Sequence, residues 1–225
     1  MSQDRAKRNA AEEAVRFVKD GMVVGLGTGS TAKIVVDLLG KKLSKDFKIK
    51  GMPTSIKTKQ QAEKLGIELI DIDDQDIIDL AIDGADEVAP DMSLIKGLGG
   101  ALLREKKVEK KAKELIIIVD ESKIVEKLGR GELPVEVSSE SHELIATKIE
   151  NTGCKAKLRL ENNDEVFVTD NKNYIYHCLF PNGIENPKEI DKKLQNIDGV
   201  RDTGFFINMA TKIIVGNEEG TRILE

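Results

Sequence analysis

The stretch Met22-Val23-Val24-Gly25-Leu26-Gly27-Thr28-Gly29-Ser30-Thr31 is a short apolar run that turns through glycines into an amphipathic segment, where Ile34, Val35, Leu38 and Leu39 are spaced as one buried stripe. An apolar run, a tight turn and then a 3.6-residue period read as strand, loop and helix, the repeating unit of a doubly wound parallel sheet. Working outward, similar apolar runs occur at Ile49 to Met52, Ile67 to Ile72, Ile78 to Ile82 and Leu115 to Val119. The last, Leu-Ile-Ile-Ile-Val, has no polar alternation at all, as a strand covered on both faces requires. Upstream, Asp4 is placed to cap a helix whose inner face carries Ala10, Ala14, Phe17 and Val18. The first half of the chain is therefore expected to be a doubly wound α/β domain.

Around Leu128-Gly129-Arg130-Gly131-Glu132-Leu133-Pro134 both periodicities stop, which marks a hinge. Beyond it, Val135 to Val137 reads as a strand, Ser141 to Asn151 as a helix closed by Gly153, and Lys155 to Leu160 as an alternating strand. Val166 to Val168 and Tyr174 to Phe180 read as further strands, then a helix after Pro187 and a strand from Val200. This order suggests a small α+β sandwich of the split βαβ kind. Phe205 to Asn208 and Ile213 to Val215 are apolar enough to return to the first domain as extra strands. The expected division is 1–130 plus 204–225 for the α/β domain and 131–203 for the smaller one.

The 225 residues are 40% hydrophobic and 33% charged, with both signs interspersed, a composition that folds as a globule and is neither disordered nor membrane-embedded. No apolar run reaches the roughly 18 residues of a membrane span, and the amino terminus has no apolar signal core, so a cytoplasmic protein is expected. A net charge of −5 disfavours nucleic acid as a partner, since that binding depends on cationic neutralisation of phosphates. Cys154 and Cys178 are too far apart for a CxxC pattern and read as reduced, buried thiols.

Four stretches carry chemistry. In Gly25 to Thr31 the glycines allow close approach of a ligand, and the helix start offers N–H groups and a positive dipole end to an anion. A plain strand-to-helix turn with Ser30 as cap is the competing reading. A dinucleotide site would need glycine where Ser30 stands and an acid where Pro53-Thr54-Ser55 stands, so a single phosphate suits the turn better than a pyrophosphate. Ile82-Asp83-Gly84-Ala85-Asp86-Glu87 sets three acids at the carboxyl end of a strand, where open α/β sheets bind ligands. They suit acid–base work, magnesium or simple Asx turns. His142 and His177, the only histidines, both lie in the second domain. Lys96-Gly97-Leu98-Gly99-Gly100 gives a second glycine turn, followed by a helix that carries Glu105 in its first turns; Glu105 is equally readable as one charge of the solvated run Arg104-Glu105-Lys106-Lys107. Lys123, in Asp120-Glu121-Ser122-Lys123, is a cation just past the fifth strand.

Taken in order, Gly27-Thr28-Gly29-Ser30-Thr31, Asp83-Gly84-Ala85-Asp86-Glu87, Lys96-Gly97-Leu98-Gly99-Gly100-Ala101 with Arg104-Glu105-Lys106, and Val119-Asp120-Glu121-Ser122-Lys123 resemble the ribose-5-phosphate isomerase A family. The likeness continues through Leu133 to Val137 and Val168 to Asn171 and covers essentially the whole chain. The resemblance implies a Rossmann-like catalytic domain with a smaller ferredoxin-like one. It also implies an aldose–ketose isomerase of the non-oxidative pentose phosphate pathway, interconverting D-ribose 5-phosphate and D-ribulose 5-phosphate. On it, Glu105 is the base that moves a proton between C2 and C1 through an enediolate, and Asp83 and Asp86 open the furanose ring and shuttle protons. Lys96 and the amides of Gly97, Leu98 and Gly99 stabilise the oxyanion. Thr28, Gly29, Ser30 and Thr31, the backbone at Gly84 and Ala85, Lys123 and, by a weaker match, Lys7 hold the sugar and its phosphate. No cofactor and no metal is expected; the partners are a small phosphorylated sugar and further copies of the chain, as a dimer or tetramer, with neither nucleic acid nor membrane.

The chemistry agrees: a proton beside a carbonyl is weakly acidic, so a base must meet it and donors must meet the oxygen that becomes negative. A sugar-phosphate sensor domain of this architecture would have no use for Glu105 and would carry a DNA-binding appendage, for which the start of the α/β domain near Met1 leaves no room. A coenzyme A transferase-like enzyme would use a glutamate as nucleophile, and a lactonase or aminosugar isomerase fits the quoted motifs less well.

Overall fold

In a computed structural model describing residues 2–225, the chain divides into two compact units. The first takes the chain up to Ala85, with Arg104–Ile124 and Met209–Glu225; the second takes Asp86–Leu103 and Val125–Asn208.

The first unit is built on a seven-stranded sheet. Its strands are β1 (Val23–Leu26), β2 (Lys50–Pro53), β3 (Glu68–Leu69), β4 (Ile78–Asp83), β7 (Ala112–Asp120), β13 (Lys212–Gly216) and β14 (Thr221–Leu224), in the order β14-β13-β7-β4-β1-β2-β3. Every neighbouring pair is parallel except β13 with β14. Helices α1 (Ser2–Val15), α2 (Ser30–Lys42) and α3 (Ile56–Lys64) belong to the same unit. Leu115 to Val119 of β7 are each at most 2% exposed, as the uninterrupted apolar run demands. Ala10 and Ala14 of α1, Val35 and Leu39 of α2, and Ile116 and Ile118 of β7 share one core. Each such isoleucine contributes on the order of 1.5–3 kcal/mol of burial. Asp4 lies within the first turn of α1 rather than capping it, because the helix already begins at Ser2.

The second unit holds β8 (Glu132–Val137), α5 (His142–Glu150), β9 (Lys155–Leu158), β10 (Tyr174–Leu179), α6 (Pro187–Gln195) and β11 (Val200–Thr203). The four strands form an antiparallel sheet in the order β11-β8-β10-β9. Cys154 and Cys178 are both free and buried. A three-stranded sheet joins β5 (Glu87–Val88), β6 (Leu94–Ile95) and β12 (Phe205–Phe206). Here the fold departs from expectation: Phe205 and Phe206 pair with β6 in the second unit, and of the two expected segments it is Ile213 to Val215, within β13, that returns to the large sheet, with β14 beside it. The bond from Lys96 N–H to the Gly204 carbonyl at 2.9 Å extends that pairing, and carries the segment Asp86–Leu103 into the second unit with it. Val166 to Val168 form no strand beyond a single bridge between Leu160 and Val166.

Glu136 on β8 is fully buried, and its Oε1 accepts bonds from Thr169 Oγ1 (3.0 Å), Asn171 Nδ2 (3.3 Å) and Asn173 Nδ2 (2.9 Å). One carboxylate thus gathers the turn Thr169–Asn173. Glu136→Ala is expected to destabilise the protein by about 2–4 kcal/mol, since the buried Thr169 and the half-buried Asn171 and Asn173 lose a shared acceptor. Denaturant unfolding checks this; an unchanged midpoint would show that the turn holds without it.

Candidate active site

In the first unit, β1 and β4 end side by side, with Leu26 in register with Ile82. Beyond β1, Gly27 lies so close to Asp83 that a Cβ there would sit 2.2 Å from Asp83 Oδ1. Asp83 is 1% exposed, and its Oδ1 accepts the N–H of Thr28 (3.0 Å) and of Gly84 (2.7 Å), tying the first glycine turn to the end of β4. Gly29 has φ +117° and is the N-cap of α2 with no side-chain cap, so Ser30 opens the helix instead of capping it. Gly29 and Ser30 are exposed while Thr31 is buried. That leaves the first-turn amides and dipole end for an anion.

Thr28 is fixed by a hydroxyl cluster absent from the sequence reading. Its Oγ1 lies 2.7 Å from Thr54 Oγ1 and 2.9 Å from Ser55 Oγ, while Thr58 Oγ1 donates to the Gly27 carbonyl at 3.0 Å. Of the residues that spoke against a dinucleotide site, Thr54 and Ser55 brace the turn. At the end of β7, Asp120 accepts the Ser122 amide (3.0 Å) and Gln3 Nε2 (3.3 Å). Burial pushes the Asp120 carboxyl up, but the bonds from Ser122 and Gln3, with Lys123 nearby, outweigh it and hold the group below its ordinary value. Gln3 and the half-buried Lys7 are four residues apart on α1 and so share one face of that helix, the face that Gln3 ties to Asp120.

Glu105 lies on α4 (Leu102–Glu109) and is 3% exposed, which removes the solvated-helix reading of this residue. Glu109, one turn further on and equally buried, was not singled out in the sequence; the four-residue spacing was its only signal. One carboxylate oxygen from each of Asp83, Glu105 and Glu109 lies within 4.8 Å of the other two. Buried carboxylates gathered this closely are placed to take up a proton and return it.

In the second unit, Lys96 is 2% exposed with its Nζ 5.1 Å from the centre of the Phe206 ring. After it, Gly97 to Gly100 form a tight turn closed by the Gly100 N–H on the Gly97 carbonyl at 2.9 Å, with φ +104° at Gly97 and +90° at Gly100. The half-buried Asp86 accepts the Leu98 N–H on Oδ2 at 3.0 Å. Of the amides expected to meet an oxyanion, that of Leu98 is therefore engaged by Asp86.

Buried acids gathered beside a glycine turn that opens a helix, at the carboxyl edge of a parallel sheet, are the equipment of an α/β enzyme. Comparison with known proteins gives that class its family. The family model described as ribose 5-phosphate isomerase A (phosphoriboisomerase A) matches residues 50–220. The ribose-5-phosphate isomerase A of Bacillus mycoides is 47% identical, covering 96% of this chain and 97% of its own. Among solved structures, a D-ribose-5-phosphate isomerase in complex with phospho-erythronic acid superposes with a TM-score of 0.95 at 40% identity, covering all of both chains. The ribose 5-phosphate isomerase of Plasmodium falciparum gives 0.95 at 38% identity, covering 99% of this chain and 98% of that one. The chain belongs to the ribose 5-phosphate isomerase A family.

Proposed function

We propose that the protein interconverts D-ribose 5-phosphate and D-ribulose 5-phosphate by carboxylate-mediated proton transfer through an enediolate. The observation that carries this reading is the burial of Glu105 with an oxygen within 4.8 Å of Asp83, whose carboxylate also holds the phosphate turn at Thr28. A base and an anion seat are thereby linked through one residue. Glu105 takes the proton from C2 and returns it to C1; Asp83 and Asp86 open the ring and relay protons among hydroxyls. Lys96 and the amides of Gly97 and Gly99 stabilise the negative oxygen, that of Leu98 being held by Asp86. Thr28 to Thr31, the backbone at Gly84 and Ala85, Lys123 and Lys7 hold the sugar and its phosphate, a nonreacting handle whose binding energy orients the reacting carbons. A relative that binds phospho-erythronic acid, a phosphorylated sugar acid, supports a ligand of this chemistry.

The antiparallel order β11-β8-β10-β9 with α5 and α6 supports reading the smaller unit as ferredoxin-like. We read the enzyme as cytoplasmic and as a homo-oligomer, the second supported by the exposed apolar side chains Leu144, Leu160, Val168 and Leu179 of the second unit. Among the described residues no helix is long and apolar enough to cross a membrane.

The test is to incubate the purified protein with ribose 5-phosphate in deuterium oxide. Ketose carrying deuterium at C1 is expected, because the proton held on Glu105 exchanges with solvent during part of the turnovers; a complete absence of label after prolonged equilibration over many forward and reverse turnovers would point to a hydride shift and remove the carboxylate mechanism, and no ketose would remove the activity.

A further inference from the structure

Arg159 lies just past β9, and its backbone is held on both sides: its N–H donates to Ile175 O at 2.9 Å and its carbonyl accepts the Phe167 N–H at 3.0 Å. From this fixed base the guanidinium stacks on the Phe167 ring, 3.7 Å from its centre, and Nη1 donates to the Leu98 carbonyl at 2.9 Å. The stack presses directly on the glycine turn. A Cβ at Gly100 would lie 2.4 Å from Phe167 Cζ and 3.0 Å from Arg159 Nη1. The half-buried guanidinium loses hydration here, and burial draws its pKa below the ordinary arginine value, an effect Glu161 opposes.

The geometry has a consequence for the reaction. A peptide group is planar and trans, so the Leu98 carbonyl and the Gly99 N–H belong to one plate and point in opposite directions. By holding the carbonyl, Arg159 fixes where the Gly99 N–H points. The neighbouring plate is fixed as well, its Leu98 N–H donated to Asp86 and its Gly97 carbonyl accepting Gly100. Gly99 itself is exposed, and nothing lies within 4 Å of the place a Cβ would take, so a ligand can approach it closely.

Resting on the reading of this turn as the oxyanion seat, we propose that Arg159 is a positioning residue of the isomerisation: it aims the Gly99 amide at the oxygen that becomes negative, while Leu98 contributes no donor. A preorganised donor acts in the transition state more than in the ground state, so its misalignment falls on kcat. Arg159→Met keeps an unbranched stem against Phe167 and removes the bond to Leu98. It is expected to lower kcat roughly 10- to 100-fold with KM changed less than about threefold, and added guanidinium ion should restore part of the loss. Thermal unfolding should stay cooperative. A merely structural role would not give a kcat-selective loss that guanidinium repairs. Wild-type kcat in Arg159→Met, or a loss accompanied by a proportionate rise in KM and no repair, overturns the inference. Should Arg159→Met fail to fold, Arg159→Lys, which keeps a cation but not the planar fork, must show the same kcat-selective loss in a smaller measure; its absence overturns the inference equally. Lys96→Met is assayed alongside. If that variant is unimpaired, the oxyanion reading of the turn is itself wrong; if it is impaired while Arg159→Met is not, only the role of Arg159 falls.

Discussion

Glu105→Gln is expected to lower kcat by about two to four orders of magnitude while leaving affinity for the phosphosugar nearly unchanged. The substitution keeps the size and shape of a side chain that is 3% exposed, so α4 and its packing should survive. It removes the one property the mechanism needs, the capacity to accept a proton from carbon. Binding should persist because the groups assigned to the phosphate are elsewhere: the uncapped start of α2, Lys123 and Lys7 do not touch the substituted atom's chemistry. Steady-state kinetics with calorimetric titration of the phosphosugar separates the two effects, and loss of deuterium incorporation should parallel the loss of turnover. Near-normal turnover in Glu105→Gln would take the base role away from this residue and leave Glu109 and Asp83, which share its cluster, as the carboxylates to examine.

What could be read from the chain in advance follows the range of the forces involved. The unit β1, glycine turn and α2 was legible because its signals are local: an apolar run, residues free to turn, then a helical stripe. β7 was legible for the same reason, since Leu115 to Val119 leaves no face for water. Pairings that depend on distant residues were not. Phe205 and Phe206 look like any apolar pair, and only the partner strand Leu94–Ile95 decides that they join the second unit and not the large sheet. The site followed the same rule. Asp83 and the Gly27 turn stand out through residue type and setting, whereas Glu105 reads equally as one charge of a solvated run and gained its role only through the family resemblance. Thr54, Ser55 and Thr58 brace Thr28 from about thirty residues away, and Arg159 reaches Leu98 from sixty-one; neither link has a local signature. Glu109 stood between these cases: its spacing from Glu105 was visible, but the burial that makes it matter was not.

The sharpest test of how the site is held is Gly27→Ala. Two reasons can require glycine, a left-handed backbone or the absence of room for a Cβ, and the first turn separates them. Gly29 has φ +117° with open space around it, so Gly29→Ala is strained only in its backbone, at a cost of roughly 1–2 kcal/mol. Gly27 has no such backbone requirement, yet a Cβ there would meet Asp83 Oδ1 at 2.2 Å, Asp83 Cγ at 2.3 Å and the Ile82 carbonyl at 2.6 Å. None of these can swing away freely: the carbonyl belongs to β4, and Asp83 is buried and bonded to Thr28 and Gly84. The methyl must either push Asp83 out of its bond to the Thr28 amide or lift the turn off the sheet. Both separate the phosphate seat from the acid cluster, and a displacement on the order of 1 Å between a handle and a reacting group costs about a hundredfold in rate. Gly27→Ala is therefore expected to lose at least roughly a hundredfold in kcat/KM, with about 1–3 kcal/mol of stability lost to overpacking. Gly29→Ala, which leaves the contact between Asp83 and the turn in place, should raise KM through weaker phosphate binding and change kcat far less, for a comparable change in stability. If kinetics and thermal unfolding of the two variants instead run in parallel, activity tracks stability alone, and the contact between Asp83 and the turn is not what aligns the base with its substrate.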